Sequence, residues 1–205
     1  YYANDTENAT IFALERGTDL AVTNGGTGNF YGIYDPNYLK PSASQVGFMW
    51  RTMYQIIGKA NEIIAAAEDL EDTPSLRATV SEAKCFRAQS YFLLYRTFDR
   101  IWLNMLPTTA ENVNDPRDFH SASEKEVFEL IYEDLEYAIT NLDWVSDEAG
   151  RFTQAAARHM KAKAALWLKD WDTTLEQVEE IEKSGHFDLI TLNEVFNAGD
   201  LNHKE

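Results

Sequence analysis

Five prolines punctuate the chain, Pro36, Pro41, Pro74, Pro107 and Pro116, and none interrupts the long stretches in which apolar residues recur every three or four positions. An internal proline removes a backbone donor and clashes with the preceding turn, so only the proline-free stretches are open to long helices. Over 45–71 the residues Val46, Trp50, Met53, Tyr54, Ile57, Ala60, Ile64 and Ala67 make one face of an amphipathic helix. Thr73 before Pro74 reads as an N-cap with proline at the first helical position, which opens a second helix over 75–100. Ser123 and Glu126 form an S-x-x-E capping box for a third over 123–142, whose apolar stripe is Val127, Leu130, Ile131, Leu135, Ala138 and Leu142. Thr153 caps a fourth over 153–169, where alanine at six positions between 155 and 165 lets helix axes approach closely. A fifth over 172–183 is stopped by Ser184 and Gly185.

Helices joined by short turns predict an all-α fold of tetratricopeptide-like pairs, an α-solenoid, with the first four helices as two antiparallel pairs. The loop over 102–122 breaks the strict period of ~34 residues that such repeats keep. The expected organisation is a single helical domain over 1–205. Within it, 1–44 is an irregular aromatic-rich segment, 45–189 carries the helix pairs, and 190–205 begins a further region.

Charge narrows the partners. With 34 acidic against 18 basic residues the formal net charge is -16, which repels phosphate backbones and anionic lipid, and no basic stripe stands out along the sequence. Nucleic acid is therefore not an expected partner. Cys85 is the single cysteine, so no internal disulfide forms, and its place within a helical pattern suits a small packed thiol. No run of apolar residues is long enough to span a bilayer, and the opening "YYANDTENAT" is not a secretion signal.

Signatures of catalysis and metal binding are missing from the sequence. There is no G-x-S-x-G and no phosphate-binding loop, and "GGTGNF" lacks the spacing and the following helix of a dinucleotide fingerprint. The histidines His120, His159, His186 and His203 have no zinc spacing, and "NVNDPRD" lacks the order of a calcium loop. Neither cofactor nor metal is expected. Glu82 and Arg87 lie about 500 degrees apart around a helix, which makes them a poor acid–base pair for one substrate. Together with Asn61 they read as structural polar groups paired within a packed interface. The carboxylates of "EDLEDT" and "YEDLEY" read as exposed helix faces.

Five segments in order resemble one family: "WRTMYQIIGKANEII", "EAKCFRAQSYFLLYRTFDR", "EVFELIYEDLEYAITNL", "GRFTQAAARHMKAKAALWLKDWDTTL" and "SGHFDL". Over Trp50 to Leu189 the chain is similar to the SusD/RagB family, and "GTDLAV" resembles the family's early segment. The resemblance implies a lipoprotein on the outer surface of a Bacteroidetes outer membrane that captures glycan and delivers it to a SusC-type TonB-dependent transporter. It implies a helical, tetratricopeptide-like fold, of which this chain would be the N-terminal portion. The chain departs from the pattern after "RTF", where Asp99 stands in place of the family's glycine. Cys85 is not the family's lipid-bearing cysteine, so any membrane attachment would use an anchor that this sequence does not contain.

The reading that follows is non-enzymatic capture of a glycan, best a neutral one given the charge. The candidate ligand residues are Tyr31, Tyr34 and Tyr38, in a loop where aromatics alternate with Asn24, Asn29 and Asp35. Sugar rings stack on such faces while their hydroxyls take amide and carboxylate partners. The plainer reading of the same aromatics is that they pin the loop to the helices. Two rivals stand beside this reading: a helical-repeat adaptor holding a protein or peptide in a groove, and a helical glycosidase with two carboxylates flanking a pocket.

Overall fold

The computed structural model of the chain describes residues 44–116 and 119–189. Five helices occupy them: α1 (Ser44–Ala67), α2 (Pro74–Phe98), α3 (Glu124–Asn141), α4 (Gln154–Leu168) and α5 (Trp171–Lys183). No strand occurs among the described residues, and the fold class is all-α. The chain divides into two compact units, Tyr1–Ile56 and Ile57–Glu205.

The helix starts follow local chemistry. Thr73 accepts the backbone N–H of Leu76 at 3.2 Å and Pro74 takes the first turn of α2,. Ser123 and Glu126 close their reciprocal box at the head of α3, with Ser123 N–H donating to Glu126 Oε2 at 2.8 Å. Thr153 caps α4 and Asp170 caps α5 by accepting from Thr173 N–H at 3.1 Å.

The helix ends depart from expectation in two places. α1 stops at Ala67, four residues short of the predicted end at 71, because Glu68, Asp69, Glu71 and Asp72 would crowd carboxylates onto the negative pole of a longer helix. α2 stops at Phe98, where Asp99 takes φ 61° and ψ -55°. Arg100 N–H then donates to Phe98 C=O at 2.6 Å, a tight three-residue turn that ends the helix abruptly.

Within the second unit α3 packs on both α2 and α4, and α4 packs on α5. The α2–α3 contact is antiparallel: Lys84 meets Asp134 while Tyr95, further along α2, meets Glu124 at the start of α3. Val80, Ala88, Tyr91 and Leu94 of α2 are buried, as are Val127, Ile131, Leu135 and Ala138 of α3. Ala155, Ala157, Ala162, Ala164 and Ala165 are buried on α4, so its short side chains bring the helix axes close. On the outer face of α5, Trp171, Leu175 and Val178 are exposed.

Candidate functional site

Arg87 with Lys84, and Glu82, all near the middle of α2, belong to two separate clusters. Arg87 is buried and its guanidinium grips Asp134 of α3 on two edges, Nε to Oδ2 at 2.7 Å and Nη2 to Oδ1 at 2.8 Å. Its remaining nitrogen, Nη1, donates to Asn61 Oδ1 at 2.8 Å. Asn61 in turn donates from Nδ2 to the carbonyl of Asn104 at 2.7 Å, and the Tyr91 hydroxyl bonds the same carbonyl at 2.8 Å. Lys84 adds a second cation to Asp134 Oδ1 at 2.8 Å. Both oxygens of the buried Asp134 carboxylate are thereby engaged by cations, and the cluster presents no free acid or base to a substrate. What it does is fasten the segment after α2 to α1 and α2.

Asp134 departs from the sequence expectation. It sits in "YEDLEY", whose carboxylates the sequence suggested were exposed, yet its side chain is fully buried. The signal lay in the spacing, because position 134 falls in the same stripe as Val127, Leu130, Ile131 and Ala138.

Glu82 points elsewhere. It accepts Arg151 Nε at 2.6 Å and the Phe152 backbone N–H at 3.3 Å, fixing the segment that leads into α4, while Phe152 stands edge-on to Phe86 at 4.9 Å between centroids. Beside this pair opens a cleft of about 720 Å³, lined in part by Glu82, Asn141, Asp143, Asp147, Glu148 and Arg151. Arg151 also binds Glu148 at 3.0 Å, and Asn141 donates to Tyr137 C=O at 2.8 Å. Much of the polar lining is therefore already engaged. Among the described residues no group of three or more His, Cys, Asp or Glu is placed to hold a metal ion. Asn112 of the "NVNDPRD" loop turns inward, accepting Thr109 N–H at 2.8 Å and donating to Pro107 C=O at 2.9 Å.

A second, smaller hollow of about 70 Å³ lies among α2, α3 and α4. Ala88, Leu93, Ile131, Leu135 and Met160 line it together with Gln89, and Arg96 and Lys163 border it. Arg96 lies over the rings of Phe92 and Trp167, at 5.2 and 5.5 Å from their centroids. Tyr31, Tyr34 and Tyr38 lie outside the described residues. No helix among the described residues is long and apolar enough to cross a membrane.

The helical fold is shared with known proteins. A SusD-like protein of Bacteroides ovatus is 30% identical over 161 residues, 72% of this chain and 28% of that protein. The crystal structure of a SusD-like carbohydrate-binding protein from Bacteroides fragilis superposes with a TM-score of 0.70 at 21% identity, covering 80% of this chain and 32% of that one. A laminarin-binding SusD-like protein superposes with a TM-score of 0.68 at 23% identity, over 83% of this chain and 39% of that one. The two structural likenesses establish the fold, and the chain spans 28% of the length of its Bacteroides ovatus relative. The family model described as starch-binding and associating with the outer membrane matches residues 5–166, and the chain belongs to that SusD-like family.

Proposed function

We propose that the protein carrying this chain captures glycan at the outer face of the outer membrane without catalysis, and passes it to a SusC-type TonB-dependent transporter while held by a lipid anchor. The observation that carries this reading is the family match across residues 5–166. Relatives of the same fold are described as binding carbohydrate or laminarin, which supports the ligand class. A formal net charge of -16 opposes acidic polysaccharide, so the ligand is a neutral glycan. Tyr31, Tyr34 and Tyr38 are assigned to the stacking platform, and Asn61, Glu82 and Arg87 to scaffold.

Calorimetry on the protein carrying this chain tests the reading, with a neutral β-glucan oligosaccharide and an oligouronate as titrants. The neutral sugar should bind with little change between low and high salt, and alanine at each of the three tyrosines should weaken it. Binding of the uronate alone would reverse the assignment of charge. Equal binding by all three tyrosine variants would move the platform elsewhere. Co-purification of a TonB-dependent transporter with the tagged protein checks the delivery step.

A further inference from the structure

We propose that the groove between α2 and α4 is a docking site for an extended acidic peptide segment of a partner protein, which places a carboxylate against Arg96 and Lys163 and an aliphatic side chain in the hollow between them.

The first support is charge. Acidic residues outnumber basic ones by 34 to 18, yet two cations border this hollow with no carboxylate in its lining. Lys59, Lys84, Lys125, Lys161 and Lys183 each pair with a carboxylate. Lys161 reaches Glu136 at 2.6 Å, whereas Lys163, two residues on, has turned to the groove. Among the described residues no carboxylate pairs with Arg96 or Lys163, and none lines the hollow that they border. His159, one turn before Lys163, has its pKa lowered by burial and further by the Lys163 charge. The local field is thus positive on a chain whose overall charge is strongly negative.

The second support is how Arg96 is held. The guanidinium lies against Phe92 and Trp167, whose rings stand at 88° to one another, and among the described residues no hydrogen bond or ion pair takes its N–H groups, which leaves them open to a carboxylate. Trp167 is exposed beside it and extends the apolar surface there.

The third is the lining, which separates a peptide from an acidic sugar. Ala88, Leu93, Ile131, Leu135 and Met160 offer no hydrogen-bond partner from their side chains and Gln89 is the one neutral polar residue of the lining, so most hydroxyls of a sugar would be desolvated there without return. A hollow of about 70 Å³ is roughly twice the ~30 Å³ share of a water molecule in the liquid and takes the tip of a branched aliphatic chain. An acidic residue flanked by Leu, Ile or Val matches both halves of the groove.

The experiment is fluorescence anisotropy on this chain with a fluorescein-labelled octapeptide that alternates Glu with Leu, and with a second in which Lys replaces Glu. The Glu peptide should bind saturably, lose affinity several-fold between low and high salt, and lose about tenfold on Arg96→Gln combined with Lys163→Gln. Lys163→Glu should abolish binding while thermal unfolding stays at the parent temperature, since Lys163 has no ion pair to lose. The Lys peptide should not bind. Absence of saturable binding by the Glu peptide would overturn the proposal, as would equal binding by the parent and the double variant. Displacement of the Glu peptide by an oligouronate, lost in the same variants, would replace the peptide with an acidic glycan.

Discussion

Arg87 of α2 and Asp134 of α3 are joined by two parallel hydrogen bonds of 2.7 and 2.8 Å in a site where their side chains are 4% and 0% exposed. Lys84 shares the same carboxylate from the more open side, so one anion serves two cations. The partners are therefore unequal. Asp134→Leu strands both cations and should cost about 3–5 kcal/mol, lowering the melting temperature by roughly 10 °C. Arg87→Leu leaves Asp134 with Lys84 and should cost less. The double variant should lose less than the two single losses added together, because an apolar pair replaces a buried ionic one. Strict additivity in urea unfolding would show that the two side chains do not act as a unit.

The same residues show how far the sequence could be read. Thr73, Ser123 with Glu126, and Thr153 announced helix starts because capping is a matter of three or four neighbouring residues. Asn61, Glu82 and Arg87 could be marked as polar groups in or beside a packed seam, but the partners of Glu82 and Arg87 lie on other segments. Arg87 bonds Asn61 from one side and Asp134 from the other, while Glu82 waits for Arg151. Such contacts depend on how helices are brought together. The groove of Arg96 and Lys163 was illegible for the same reason, since neither residue is remarkable within its own helix. The negative run after Ala67 was legible in principle, and weighing it against the helix dipole would have placed the end of α1.

Asp99 occupies a backbone conformation that glycine adopts far more easily. At φ 61° and ψ -55°, with a 2.6 Å bond between Arg100 N–H and Phe98 C=O, it stands at the centre of a turn that is rare and strained for residues bearing a Cβ. Asp99→Gly relieves that strain and adds back some unfolded-chain entropy. The expected net gain is about 1 kcal/mol, read as a rise of about 2–4 °C in melting temperature. A fall in melting temperature would show that the Asp99 side chain contributes more than its backbone costs.

His159 supplies a pH dependence on the acid side. Burial, with the charge of Lys163 behind it, lowers its pKa from the ordinary 6.5. As the pH falls, the unfolded chain takes up this proton before the folded one does. The contribution of neutral His159 is present above about pH 6.5 and declines below it, until the folded state also protonates. Melting temperature followed from pH 8 to pH 5 should fall less steeply for His159→Gln than for the parent. Superimposable profiles would remove His159 from the acid response.

Cys85 gives the opposite sign at high pH. Burial, followed by the nearby charges of Asp134 and Glu82, pushes its thiol from 9.0 up to about 12. In the folded state the thiol at pH 8 is therefore both protonated and enclosed, and it should resist iodoacetamide until the chain unfolds. Above pH 9 the unfolded chain releases the proton while the folded chain keeps it, so stability drains away as the pH rises. Between pH 9 and pH 12 the loss from this one group is on the order of 4 kcal/mol. Lysines and tyrosines titrate over the same interval, which makes the difference between parent and Cys85→Ala the quantity to measure. The variant should be slightly less stable at pH 7, because a buried sulfur has been removed, yet its unfolding free energy should decline more gently beyond pH 9. Equal alkaline slopes, or rapid alkylation of the native protein at pH 8, would show that the thiol titrates freely and that the interior around Asp134 opens readily to solvent.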